Sequence, residues 1–221
     1  MKVLLIQPPV RDFYNTDLRL QPIGLAYLKA AVKKYLPEIK VIIKDYHAGW
    51  GRKTVACPRE FDFLKPFYGS EDKSPFSTFH HYYHFGADFG AITKDIAKEK
   101  PDLVGISSLF APYYREVLAA AEAVKKASDI PVLIGGSHAT AMPAQMLAHP
   151  AIDLVIRGEG EKPFVEFLKV YSSLLKRKKG PFAPIKFLRT VPNLGYKKGG
   201  KIVLNPCAEN YPVDELPFPD L

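Results

Sequence analysis

Leu103-Val-Gly-Ile106, Tyr114-Arg-Glu-Val-Leu-Ala-Ala-Ala-Glu-Ala-Val-Lys-Lys-Ala127 and Pro131-Val-Leu-Ile134 follow one another in mid-chain, and their order decides the fold. The first and third are short and apolar, as strands buried on both faces are. The second places Val117, Leu118, Ala121 and Val124 on one side of an amphipathic helix. A strand, a helix and a strand in this order read as a parallel pair joined by a right-handed crossover.

The same alternation extends outward. Lys2-Val-Leu-Leu-Ile6 and Lys40-Val-Ile-Ile-Lys44 read as earlier strands. Between them Pro22 opens a helix over Ile23 to Leu36, ending before Pro37, with Leu25, Leu28, Val32 and Leu36 on one face. Asp153-Leu-Val-Ile156 is a fifth strand, and Lys162 to about Lys176 a last helix carrying Phe164, Phe167, Leu168 and Leu175. The expected fold is α/β: a flavodoxin-like (Rossmann-type), doubly wound, five-stranded parallel sheet. Such sheets hold ligands at the carboxyl ends of their strands, near the switch point.

Two regions break the pattern. Asp45 to Lys100 is long, and only about Asp88 to Lys98 has a helical pattern. Residues 46–87 form an aromatic-rich insertion containing His80-His81-Tyr82-Tyr83-His84. Near the end, Asn193 to Leu204 reads as a hairpin turning at Lys198-Gly199-Gly200, and Asp214-Glu-Leu-Pro-Phe-Pro-Asp-Leu221 as an extended linker. The expected division is an α/β domain over 1–180 and a hairpin with linker over 181–221.

Composition narrows the partners. The chain has 221 residues and a net charge of +8, but residues 1–170 carry 22 Lys and Arg against 19 Asp and Glu, whereas 171–221 carry 9 against 4. The excess gathers around Lys176-Arg177-Lys178-Lys179, which suits a solvated helix end better than a nucleic-acid surface. No apolar run is long enough for a signal-peptide core or a membrane span. Cys57 and Cys207 are far apart and match no metal spacing, as expected of reduced thiols in a cytoplasmic protein.

The loops on the predicted ligand edge carry the candidate site. They are Gln7-Pro8-Pro9 after the first strand and Ser107-Ser108-Leu109 after the third. Gly135-Gly136-Ser137-His138 follows the fourth, and Gly158-Glu159-Gly160 the fifth. Glycines there let a ligand reach the backbone with no Cβ in the way. Gly160 precedes the last helix, whose first amides are available to a ligand. Glu159 and Glu161 read as hydrogen-bond acceptors, since alternate residues in a turn do not define an acid–base pair. His80, His81 and His84 lack further ligands for a structural zinc site.

Ser107-x-Leu109 followed by Gly135-Gly136 resembles the Ser-x-Leu and Gly-Gly elements of cobalamin-binding domains, where they make room for the cofactor's nucleotide tail. A wider set is similar to the N-terminal half of cobalamin-dependent radical S-adenosylmethionine proteins. It comprises Lys2–Pro9, Pro22-Ile-Gly-Leu-Ala-Tyr-Leu28, Pro101–Ser107, Gly135–His138, Arg157-Gly-Glu-Gly-Glu161 and Asp214–Pro219. The resemblance implies cobalamin as the cofactor, bound by the loop residues named above. It implies no catalytic residue in this stretch, and a radical S-adenosylmethionine domain as partner.

Two departures matter. Better-known cobalamin domains carry Asp-x-His-x-x-Gly after the first strand, whose His binds the cobalt from below. Here no His lies between Gln7 and Gln21, and Asp45-Tyr46-His47 follows the wrong strand. The resemblance therefore implies cobalt with neither its own base nor a protein His beneath it. The family's cysteine triplet for an iron–sulfur cluster is also missing. The sequence stops at the linker that precedes that triplet in the family, so a truncated piece of a longer protein is expected. Its 4Fe–4S cluster and S-adenosylmethionine would belong to the missing domain. The rival readings are a small nucleotide-binding α/β enzyme and a receiver-like interaction domain. The first lacks Gly-x-Gly-x-x-Gly and a Walker loop, the second an acidic cluster after the first strand.

Overall fold

Every side chain from Val3 to Gln7 is buried, because this first strand lies in the interior of a seven-stranded sheet. The computed structural model describes residues 1–14, 21–67, 81–176 and 188–220. His80, residues 177–179 of the basic run and Leu221 lie outside them.

In chain order the elements are β1 (Lys2–Gln7), β2 (Val10–Asp12), α1 (Ile23–Tyr35), β3 (Lys40–Asp45), β4 (Arg52–Val55), a 3₁₀ helix (Arg59–Phe67), β5 (Tyr82–Phe85) and α2 (Phe89–Glu99). There follow β6 (Leu103–Ser107), α3 (Tyr114–Ala127), β7 (Val132–Gly135), α4 (Ser137–Ala141), α5 (Pro143–Ala148), β8 (Leu154–Ile156), α6 (Glu161–Lys176), β9 (Leu194–Lys198) and β10 (Lys201–Leu204). The main sheet runs β10-β9-β8-β7-β6-β1-β3. Its five parallel strands follow the flavodoxin order, with the switch point between β1 and β6.

The sheet separates two apolar layers because side chains alternate along each strand. Val3 and Leu5 of β1 join Leu103, Leu133 and Leu154 against α1 and α6. Leu4 and Ile6 join Val104, Ile106, Val132 and Ile134 against α2 and α3. β3 is only half-buried, as suits an edge strand.

Four features differ from the sequence reading. The hairpin is present, with Gly199 and Gly200 at φ +53° and +76° in its turn, but β9 pairs antiparallel with β8. The sheet therefore has two strands beyond the expected five. Two short helices, α4 and α5, stand between β7 and β8, too brief and too interrupted by Pro143 to show a period. The insertion builds a second sheet, β2-β5-β4, which recruits Val10–Asp12 from the loop after β1. Lastly, the stretch expected as a linker returns to the domain at Asp220, which pairs with Lys29 and Lys33; Tyr211, just before that stretch, stacks on Tyr35 at 4.7 Å.

Candidate functional site

At the carboxyl end of the sheet, the strands present two rows of side chains toward α1 and α6. Leu5 pairs with Gly105, and Gly105 with Leu133, forming a deep row. One pleat higher, Ser107 pairs with Gly135, and Gln7 ends β1 beside them. Each row thus contains a glycine where a neighbouring strand carries a side chain. The Leu5 side chain fills the notch at Gly105, its Cδ2 lying 2.6 Å from where a Cβ would sit, while the notch at Gly135 opens into a cavity of about 490 Å³ between sheet and helices. Its roof is Gly24, Leu25 and Leu28 of α1 with Gly160 and Phe164 at the start of α6. A Cβ on Gly135 would come no closer than 4.0 Å to another atom, and one on Gly24 would meet nothing within 4 Å, so both face open space.

The lining is graded. Leu5, Leu25, Leu28, Leu133, Ile156 and Phe164 make the interior apolar. Polar groups come from the loops and strand ends: Gln7, Ser107, Ser137, Thr140, Glu159 and Glu161. Among the described residues, no Lys, Arg or His lines the cavity. Gln7 Oε1 is buried and has no hydrogen-bond partner among the described residues. A buried acceptor or donor left so costs about 1–3 kcal/mol, which a bound ligand can recover.

Hydrogen bonds lace the mouth loops together. Ser108 N–H donates to Gly135 O at 2.7 Å, and His138 N–H donates to Ser108 O at 3.1 Å. The Ser137 hydroxyl donates to Leu109 O. Gly158 N–H donates to Thr140 Oγ1 at 2.8 Å, while the Thr140 hydroxyl donates to Gly136 O at 2.9 Å. Gly136 sits at φ +114°, where a Cβ would lie 2.5 Å from Ser108 O, so only glycine fits this crossing.

The C-terminal segment braces the same loops. Asn193, at φ +63°, donates from Nδ2 to Arg157 O at 2.8 Å and accepts from Ala208 N–H at 2.8 Å. Asn210 donates to Glu161 Oε2 at 2.8 Å and accepts from Lys162 N–H at 3.2 Å. One of the α6 amides expected to serve a ligand is therefore already capped from the tail.

Nine of the thirteen candidates from sequence line this cavity. They are Gln7, Ser107 and Leu109, then Gly135, Gly136 and Ser137, then Gly158, Glu159 and Gly160. Pro8, Pro9, Ser108 and His138 do not. Ser108 follows Ser107 by one residue and faces away, the consequence of the two-residue strand period. The buried His138 ring lies 6.1 Å from the Tyr114 ring, and Pro9 is turned toward Gly86. Gly105, Thr140, Asn193 and Asn210 were missed. Gly105 left a signal, since glycine inside an apolar strand marks close approach of a ligand or backbone; the other three act through distant partners.

The second sheet is tied to α3 rather than to the cavity. The Tyr113 hydroxyl donates to Asp12 Oδ2 at 2.5 Å, and Arg11 Nε lies 3.7 Å from Glu116 Oε1. Burial raises the Glu116 pKa against the pull of Arg11. Burial lowers that of His84, whose Nε2 donates to Ala87 O at 2.9 Å. His47 is buried in the loop after β3, where its N–H and that of Ala48 close a turn on Asp45 Oδ1. Among the described residues no three His, Cys, Asp or Glu side chains gather to hold a metal ion, and no helix is long and apolar enough to cross a membrane.

Comparison with known proteins agrees with the family resemblance in the motifs. Residues 80–168 match the B12 binding domain. An uncharacterized methyltransferase of Pyrococcus horikoshii, PH0819, is 29% identical over 225 residues, covering 99% of this chain and 38% of the relative. The cytidylyl-2-hydroxyethylphosphonate methyltransferase of Streptomyces wedmorensis is 30% identical over 172 residues, covering 76% of this chain and 28% of the relative. The chain thus spans well under half the length of either. In structure it is similar to OxsB, a cobalamin-dependent S-adenosylmethionine radical enzyme solved with aqua-cobalamin and S-adenosylmethionine. The TM-score is 0.63 at 16% identity, covering 99% of this chain and 24% of OxsB. It is also similar to the radical S-adenosylmethionine methyltransferase TsrM of Kitasatospora setae, solved with cobalamin and a 4Fe–4S cluster. There the TM-score is 0.59 at 16% identity, covering 98% of this chain and 30% of TsrM. The matched span of the B12 domain begins after α1, so Leu5, Gln7 and the α1 roof of the cavity lie outside it.

Proposed function

We propose that this chain, whose residues 80–168 match the B12 binding domain, holds cobalamin by its nucleotide tail in the slot beneath α1 and α6. The carrying observation is the open space beside Gly135 and Gly24, part of an apolar slot of about 490 Å³ at the carboxyl edge of the sheet. Leu5, Leu28, Leu133 and Phe164 would enclose a flat apolar group and keep water from it. Gln7 and Ser107 stand at the mouth, where amide and hydroxyl groups of the cofactor would meet them. When bound, cobalamin supplies a cobalt centre able to carry a transferable group. The residues of this chain bind and orient it; no turnover is assigned to them.

In a longer protein the domain would present the cofactor to a radical S-adenosylmethionine domain, for methyl transfer or for a radical rearrangement or ring closure. Support comes from the methyltransferase relatives, of which this chain matches 38% and 28%. The nucleotide-enzyme alternative is disfavoured by the cavity, whose lining among the described residues offers no cationic side chain to a pyrophosphate.

Mixing the protein with hydroxocobalamin, desalting and recording the visible spectrum tests the proposal. Equimolar retention is expected; a folded protein emerging free of cofactor refutes it. The spectrum is expected to show no histidine on cobalt. Histidine coordination that disappears with His47→Ala overturns that part.

A further inference from the structure

Resting on the cobalamin reading above, we infer that the slot selects among cobamides by their lower base, accepting apolar bases and rejecting purines. The grading of the lining carries this. The sugar and phosphate that join the base to the corrin occupy the mouth, where Gln7, Ser107, Ser137 and Thr140 stand. The base itself reaches the deep row, whose side chains are Leu5 and Leu133 on either side of Gly105, under Leu28 and Phe164. The strand backbone at this depth is committed to the parallel ladder. Glu161, at the start of α6, accepts a hydrogen bond from Asn210.

A benzimidazole bearing methyl groups asks nothing of such walls. Adenine is close to it in size, so shape does not separate the two. Adenine does carry ring nitrogens and an exocyclic amine that lose water on entering and find no partner. One such buried group weakens binding about tenfold or more. Selection by unpaired polar groups is sharper than selection by a methylene.

Equilibrium dialysis against four corrinoids tests this without any turnover. They are the cobamides with dimethylbenzimidazole, p-cresol and adenine as base, and cobinamide, which has none. The first two are expected to bind within severalfold of each other, adenine at least about tenfold more weakly, and cobinamide most weakly. Adenine binding within twofold of dimethylbenzimidazole overturns the selection and leaves the cofactor reading standing. Cobinamide binding as tightly as cobalamin also overturns it, by showing that no base enters the slot. Failure of all four removes the cobalamin reading itself. Leu28→Gln, at a half-buried helix position, introduces an amide into the roof. It is expected to narrow the gap between adenine and dimethylbenzimidazole; a wider gap counts against the inference.

Discussion

Gly135→Val separates the fold of this domain from its ligand. Gly135 is the last residue of β7, its φ is not in the left-handed region, and a Cβ there has no neighbour nearer than 4.0 Å. The Cβ of a valine is therefore free of clash, and its methyl groups have the cavity to enter. Valine removes the entropic cost of a strand glycine, about 0.5–1 kcal/mol, and suits a strand better by a similar amount. Its methyl groups occupy the notch on which a bound base would lie. Forcing ligand and side chain into one volume costs about 1–3 kcal/mol, roughly 5- to 150-fold in Kd. Urea denaturation of the free protein is expected to show unchanged or higher stability, while titration with hydroxocobalamin, followed by its visible spectrum, shows the weaker Kd. An unchanged Kd in a folded variant refutes the placement of the tail. A loss of stability of 2 kcal/mol or so would refute the claim that Gly135 faces open space.

Three further outcomes concern the braces around the site and the second sheet. Asn193→Ala leaves Arg157 O and Ala208 N–H without their partner and holds alanine at φ +63°. It is expected to lose about 2–3 kcal/mol by urea denaturation, and Asn193→Gly, which relieves only the backbone, about 1–2 kcal/mol. His84 has its pKa lowered by burial, so its neutral form is the one the fold prefers. Its contribution is complete above the unfolded value near 6.5 and falls as pH drops below it. Thermal unfolding at pH 7.5 and 5.5 should show a loss on acidification that is smaller in His84→Gln; an equal loss excludes His84 as its source. Tyr211→Ala removes the stack on Tyr35 and is expected to cost about 1 kcal/mol. Faster proteolysis after residue 205 would report release of the tail, and an unchanged digestion pattern would show that the stack does not hold it.

The parallel strands and four of the helices, α1, α2, α3 and α6, were legible in the sequence because each is set by its own residues. Lys2–Ile6, Leu103–Ile106 and Pro131–Ile134 are apolar enough to lie inside a sheet, and Tyr114–Ala127 keeps its apolar face over its whole length. The ligand edge followed from topology, since every loop after a parallel strand reaches the same side. Motif order likewise pointed to the cofactor class before any fold was seen. Tertiary structure decided what local pattern cannot encode. Whether Ser107 or Ser108 faces the slot depends on strand register, which set the former beside Gly135 and turned the latter away. The second sheet depends on Val10–Asp12 meeting Tyr82–Phe85, more than seventy residues apart. The cap on α6 comes from Asn210, and the turn at Arg157 is held by Asn193. A single asparagine carries no period in sequence, so the contacts that make it a brace exist only once the chain has brought its partner alongside.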